Sequence, residues 1–134
     1  MTDRELANLA KEAMMHAYAP YSGHFVGAAL LCRDGKVYQG ANIENAAYGP
    51  TNCAERTAIF QAVYDGYRDF EAIAVCGGPQ GQIKDYCPPC GVCRQVLREF
   101  GRDEMRVVLV GAEDQLDVCT LADLLPKSFS PKNL

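Results

Sequence analysis

No tract of this sequence is apolar for long enough to cross a bilayer. The longest apolar runs, near Val26–Cys32 and Val107–Val110, fall well short of the roughly 20 residues a spanning helix needs. The N-terminus, Thr2-Asp3-Arg4-Glu5-Leu6, has neither a basic n-region nor an apolar h-region, so no signal peptide and a cytoplasmic location are expected. Positive charge is also scarce. Lys and Arg number 13 against 17 Asp and Glu, for a formal net charge of −4. This argues against a nucleic-acid backbone as partner, which would need a basic surface, and leaves a small neutral or cationic ligand easier to accommodate. Internal repeats, low-complexity tracts and long linkers are missing too. The 134 residues, 49% hydrophobic, read as one domain, 1–134, able to bury a core without staples.

Cysteine, by contrast, is abundant. There are 7, an odd number that rules out complete pairing within one chain. With no secretory signal, such density points to metal or catalysis rather than disulfides.

The pattern alternates helices and strands. Thr2-x-x-Glu5 reads as a capping box, and Leu6, Leu9, Ala10, Ala13, Met14 and Ala17 recur at helical spacing until Pro20. Phe25–Cys32 reads as a strand, and Asp34-Gly35 as a hairpin turn into Lys36–Ala41. A helix from about Cys53 to Tyr64 precedes a buried strand, Ala72–Cys76. A third helix follows Pro89, with Gly101 as its C-cap. The strand Arg106–Val110, a turn at Asp114-Gln115, the segment Leu116–Cys119 and a short helix Leu121–Leu125 complete the chain. These elements predict an α/β fold, a three-layer sandwich with a central mixed sheet of about five strands flanked by helices.

Cys90 and Cys93 carry the strongest local signal. Residues three apart share one helix face, and a helix start after Pro89 supplies the dipole and free N–H groups that favour thiolate. Cys53 opens its own helix in the same manner. Three cysteine ligands and one open position are the arrangement of a catalytic zinc, whereas four closed ligands make a structural one. Cys87 keeps alternatives open: Cys87-x-x-Cys90-x-x-Cys93 could hold an iron–sulfur cluster, or a four-sulfur zinc with Cys53. Pro88-Pro89 argues against Cys87 sharing the helix. Glu55 is the kind of carboxylate that water activation beside zinc needs; the ordinary alternative is a solvated helix glutamate. Residues two apart do not share a helix side, so Cys53 and Glu55 meet only at a site off the helix end. His16 reads as a packing or surface residue, and Cys32, Cys76 and Cys119 as small buried hydrophobes.

Cys53-Ala54-Glu55-Arg56 followed by Pro89-Cys90-Gly91-Val92-Cys93-Arg94-Gln95 resembles the cytidine deaminase family, the small homotetrameric zinc-dependent type. The related zinc-deaminase signature H-x-E…P-C-x-x-C carries His where this chain has Cys53. The resemblance extends to Ala19-Pro20-Tyr21-Ser22, Val26-Gly27-Ala28-Ala29-Leu30, Asn42-Ile43-Glu44-Asn45-Ala46, Leu124-Leu125-Pro126 and Phe129. It implies one zinc per subunit on Cys53, Cys90 and Cys93. It also implies hydrolysis of cytidine and deoxycytidine to uridine and deoxyuridine, as in pyrimidine salvage, with Glu55 moving protons between water and the base. Arg56 would offset the charge of three thiolates by donating to a ligand sulfur; its alternative is a surface arginine. Asn42 and Glu44 would bind the ribose hydroxyls, although the residues alone favour an Asx-type turn and a solvated carboxylate. The Ala54 backbone would meet the base edge, and Tyr48 and Phe129 would line sites of neighbouring subunits.

The chain departs from the family string Tyr-Ser-x-Phe-x-Val-Gly-Ala. Here Tyr21-Ser22-Gly23-His24-Phe25-Val26 puts His24 at the Phe position and turns Phe25 to the other strand face. Either His24 flanks the base, or a bulge at Gly23 restores Phe25. This departure keeps open a modified cytosine compound as substrate. Nucleic-acid editing is disfavoured by the acidic chain, and a structural metal module is the non-enzymatic alternative.

Overall fold

The computed structural model describes residues 1–134. Thr2 caps helix α1 (Asp3–Met14), accepting from Glu5 N while the Glu5 side chain returns to the Thr2 backbone, the expected capping box. α1 stops three residues before Ala17, where the helical spacing of apolar residues had extended it. The reason is tertiary: the Tyr18 N–H donates to Asn42 O at 2.9 Å, so the chain joins the sheet edge instead of continuing the helix.

Five strands follow: β1 (His24–Cys32), β2 (Val37–Ala41), β3 (Phe70–Pro79), β4 (Arg106–Val110) and β5 (Leu116–Thr120). They form one sheet in the order β2-β1-β3-β4-β5. Only the β3–β4 pair is parallel, so the sheet is mixed. The β1–β2 hairpin turns at Gly35, whose φ of +96° is left-handed. β3 runs past the expected Cys76 because Gly77, Gly78 and Pro79 still pair with β1, although they carry no apolar signal.

Strand side chains alternate between two cores. Ala28, Leu30, Ile73, Val75, Val107 and Leu109 face helices α2 (Ala54–Tyr64) and α3 (Gly91–Phe100). Ala29, Leu31, Ala72, Ala74, Val108 and Val110 face α1. Each such Val, Leu or Ile, fully buried, contributes roughly 1.5–3 kcal/mol. Gly27 lets α1 lie directly on β1: a Cβ there would sit 2.1 Å from Ala10 O. The result is the expected three-layer sandwich. The chain closes with α4 (Leu121–Leu124) and a short terminal turn at Pro131–Asn133. Gly101 does end α3, but in an extended conformation (φ −92°). It is glycine for lack of space, since a Cβ would lie 2.6 Å from the Met105 sulfur.

Candidate metal centre and active site

Two helix starts converge on one point. Cys53 is the N-cap of α2 and Cys90 the N-cap of α3, each extended and neither side chain capping its helix by a hydrogen bond to a backbone N–H. Their sulfurs are therefore free to leave the helix axis. Cys93, one turn into α3, is fully buried. The three Sγ atoms lie within 4.8 Å of one another, and Cys53 and Cys90 stand 3.9 Å apart. Ligands about 2.3 Å from a tetrahedral zinc sit about 3.8 Å from each other, so the donor set fits that ion in both chemistry and spacing.

No fourth cysteine, histidine or carboxylate joins this group. Cys87 is set apart, packed where a Cβ on Gly77 would approach its sulfur to 2.9 Å. Burial pushes its thiol up to about 11. The iron–sulfur run and the four-sulfur site both fail on this separation.

The electrostatics favour a cation. A hydrogen bond from Cys93, supported by Arg56 against the effect of burial, brings the Cys53 thiol down to about 5. Cys93, in contrast, is pushed well up by the adjacent Cys53 sulfur, and then by burial. Arg56 Nη2 donates to Cys53 Sγ at 3.1 Å, as the charge argument required, and is not a surface arginine. Its guanidinium is held still more firmly protonated by that sulfur.

Glu55 is only 3% exposed, which excludes the solvated reading. Burial, reinforced by the neighbouring Cys53, pushes its carboxyl up to about 7. A carboxyl poised there can both take and give a proton near neutrality.

Asn42 and Glu44 follow the end of β2 and reach toward the start of β1. Asn42 is buried; its Oδ1 accepts from Val26 N at 2.9 Å and its Nδ2 donates to His24 O at 2.9 Å. These partners are far along the chain, so no Asx-type turn is involved. The Glu44 carboxylate accepts from Tyr21 N at 2.9 Å, from Ser22 N at 3.1 Å and from the Ser22 hydroxyl. That hydroxyl holds Glu44 below its ordinary value of 4.5. Glu44 lines a cavity of about 360 Å³ with Tyr21, Ser22, Tyr48 and Thr51.

β1 pairs regularly from His24 onward, and its only irregularity falls at Leu31/Cys32. No bulge at Gly23 restores Phe25, which packs against the α1-side core. His24 shares the opposite face with Val26, exposed beside Ser22. Tyr48 and Phe129 are 73% and 59% exposed, and Ala54 is buried at the first turn of α2.

Two supporting residues carried no assigned role in the sequence. Thr57 Oγ1 donates to Ala41 O and Cys53 O, tying the Cys53 turn to β2. Arg94 Nε donates to Pro89 O at 2.7 Å. The only available signal was their spacing, four residues after Cys53 and Cys90, one helical turn on.

Three sulfurs at paired helix starts beside a buried carboxyl, with no fourth ligand, define a zinc site of the open, catalytic kind. A family model described as the cytidine and deoxycytidylate deaminase zinc-binding region matches residues 1–110, and the chain belongs to that family. It is 50% identical to a cytidine deaminase of Sporosarcina psychrophila over 124 residues, covering 92% of this chain and 88% of that one. It is 46% identical to a cytidine deaminase of Halalkalibacterium halodurans, covering 98% of each. The crystal structure of cytidine deaminase from Burkholderia pseudomallei superposes with a TM-score of 0.89 at 49% identity, covering 96% of this chain and 100% of that one.

Proposed function

We propose that this chain is a zinc-dependent hydrolase that deaminates cytidine and deoxycytidine to uridine and deoxyuridine. The observation that carries this reading is the sulfur trio within 4.8 Å beside the buried Glu55. Cys53, Cys90 and Cys93 hold one zinc. When bound, the ion acts as a Lewis acid that lowers the pKa of a water at its open position. Glu55 accepts a proton from the attacking water and delivers it to the ring N3. The water oxygen forms a bond to C4, the C4–N4 bond breaks, and Glu55 passes a second proton to the departing ammonia. Arg56 tempers the charge on Cys53 throughout.

Asn42 and Glu44 bind the ribose hydroxyls, an amide and a carboxylate matching a sugar that both donates and accepts. The Glu44 oxygen opposite the two backbone donors retains acceptor capacity for this role. The Ala54 backbone meets the base edge and His24 flanks the pocket. Tyr48 and Phe129, both exposed on their own chain, line the sites of neighbouring subunits in a homotetramer. The whole chain, 1–134, acts as one domain in a cytoplasmic pyrimidine-salvage role; no helix is long and apolar enough to cross a membrane.

The test is Glu55→Ala, assayed by loss of cytidine absorbance with zinc content measured on the same sample. Turnover should fall by roughly 10²–10⁴-fold while zinc stays at one per chain. Full zinc with no hydrolytic activity in the unaltered protein, toward any of a panel of plain and modified cytosine nucleosides, would leave only a structural metal module.

A further inference from the structure

Arg94 makes no hydrogen bond to Cys53 or Glu55, yet it joins three parts of the molecule. Its backbone N–H takes Cys90 O at 2.9 Å, the opening bond of α3. Its side chain then turns back, with Nε donating to Pro89 O at 2.7 Å and Nη1 to Leu124 O at 2.9 Å. The next residue, Gln95, donates from Nε2 to Phe129 O at 2.9 Å. Arg94 and Gln95 thus form a bracket on α3 that clasps the loop before Cys90 on one side and the C-terminal segment Leu124–Phe129 on the other.

Each bond answers a local deficit. Pro88 and Pro89 have no N–H, so the loop that delivers Cys90 cannot be pinned through its own donors at those positions. It can be held only through a carbonyl, and a charged guanidinium makes the stronger kind of hydrogen bond to it. Leu124 is the last residue of α4, and its carbonyl has no partner within that helix; Arg94 caps it. One partly buried cation therefore satisfies two orphan carbonyls, and a neutral or shorter side chain at 94 would strand both.

We propose that Arg94 is a positioning residue that couples zinc retention to the order of the Leu124–Phe129 segment. The inference rests on the reading of Cys90 as a zinc ligand. If the loop carrying Cys90 and the C-terminal segment share one clamp, the coupling runs both ways: zinc binding steadies the segment, and the clamped segment steadies zinc.

The test compares zinc release into a chelator with amide hydrogen exchange across residues 124–129 in the full-length zinc-loaded protein, for wild type, Arg94→Met, Arg94→Lys and Gln95→Ala. Arg94→Met should release zinc at least tenfold faster and exchange faster across the segment. Arg94→Lys, which keeps the charge but not the fork that reaches both carbonyls, should fall between it and wild type and remains informative if Arg94→Met does not fold. Gln95→Ala should speed exchange near Phe129 with a smaller effect on zinc. In the wild type, stripping zinc should itself speed exchange across 124–129. A purely structural arginine would lower melting temperature but leave zinc release unchanged, or leave segment exchange insensitive to zinc; either result overturns the coupling. Failure of the wild type to bind zinc at all would instead overturn the metal reading beneath it.

Discussion

At the sulfur corner every key side chain hangs from a helix start: Cys53 and Glu55 on α2, Cys90 and Cys93 on α3. At the rim around Glu44, that residue and Tyr21, Ser22 and Tyr48 come from turns and the segments between strands. The corner's inner half is buried, with Cys93 and Glu55 almost without solvent contact, while Cys53 is half-buried and Cys90 exposed at its mouth; the rim is largely open. Chemistry that must tune a proton and grip an ion is placed where the dielectric is low and the backbone rigid. On the proposed function, recognition of the sugar is left to groups that keep contact with water. The two regions should therefore respond to substitution in different currencies, turnover and metal for the corner, affinity and acid stability for the rim.

The sharpest break should come at Cys93. Cys93→Ala leaves two sulfurs, too few to hold the ion. Zinc content by atomic emission should drop from one per chain to near none, and activity should vanish with it. The melting temperature should lose its dependence on added zinc, because a ligand that binds only the folded state no longer contributes stability. Retained zinc in this variant would dissolve the corner as a unit. Arg56→Ala should do less but in the same direction, lowering activity and weakening zinc by about 10–100-fold, the usual effect of a partner that supports a ligand. Unchanged values for both would mean that the 3.1 Å contact to Cys53 has no electrostatic consequence.

At the rim the expected effect is on folding and affinity. Asn42→Ala would leave Val26 N–H and His24 C=O unpaired next to a buried site, at a cost of about 1–3 kcal/mol, read as a lower denaturation midpoint. Glu44→Gln separates by pH. Glu44 has a depressed folded pKa, so its contribution is fully present above its ordinary value and is lost as pH falls through the folded value. The melting difference between wild type and Glu44→Gln should be full at neutral pH and shrink in acid. A difference that stays constant into acid would assign it to packing rather than charge.

The same contrast explains what could be read before folding. The cysteine pair was legible because its signals are local, cysteines three apart with a proline ahead of them; that Cys53 and Glu55 join them across two helices came from the family resemblance, since spacing alone left a structural metal site and a solvated glutamate open. The alternation of β1 was legible too, and it correctly turned Phe25 away and His24 toward the opposite face. The rest depended on distant partners. Asn42 could not be told from an Asx turn because its partners lie sixteen and eighteen residues away. Helical spacing alone carries α1 on to Ala17, because no local pattern announces that Tyr18 will bond to Asn42. The apolar signal of β3 ends at Cys76, because the two glycines and the proline that continue the strand do not look apolar. Arg94 was visible in the motif, but not its reach to Leu124, which requires the C-terminal segment to fold back across α3.

His24 offers the smallest effect and the finest distinction between the two regions. It sits at the first residue of β1, exposed, on the same face as Val26. It makes no side-chain hydrogen bond, since its one link to Ser22 Oγ comes from its backbone N–H. His24→Phe should therefore leave stability within about 0.5 kcal/mol, as expected of an exposed position without a special contact. Zinc content and kcat should also stay as in the wild type, because neither a sulfur nor Glu55 loses a partner. If His24 flanks the nucleoside, KM for cytidine should move by several-fold but less than about tenfold, the change that corresponds to about 1.4 kcal/mol. The ratio of KM values for plain and base-modified cytosine nucleosides should move with it. A drop in kcat without a change in KM would place His24 with the corner rather than the rim, and would erase the division between a buried chemical unit and an open recognition unit.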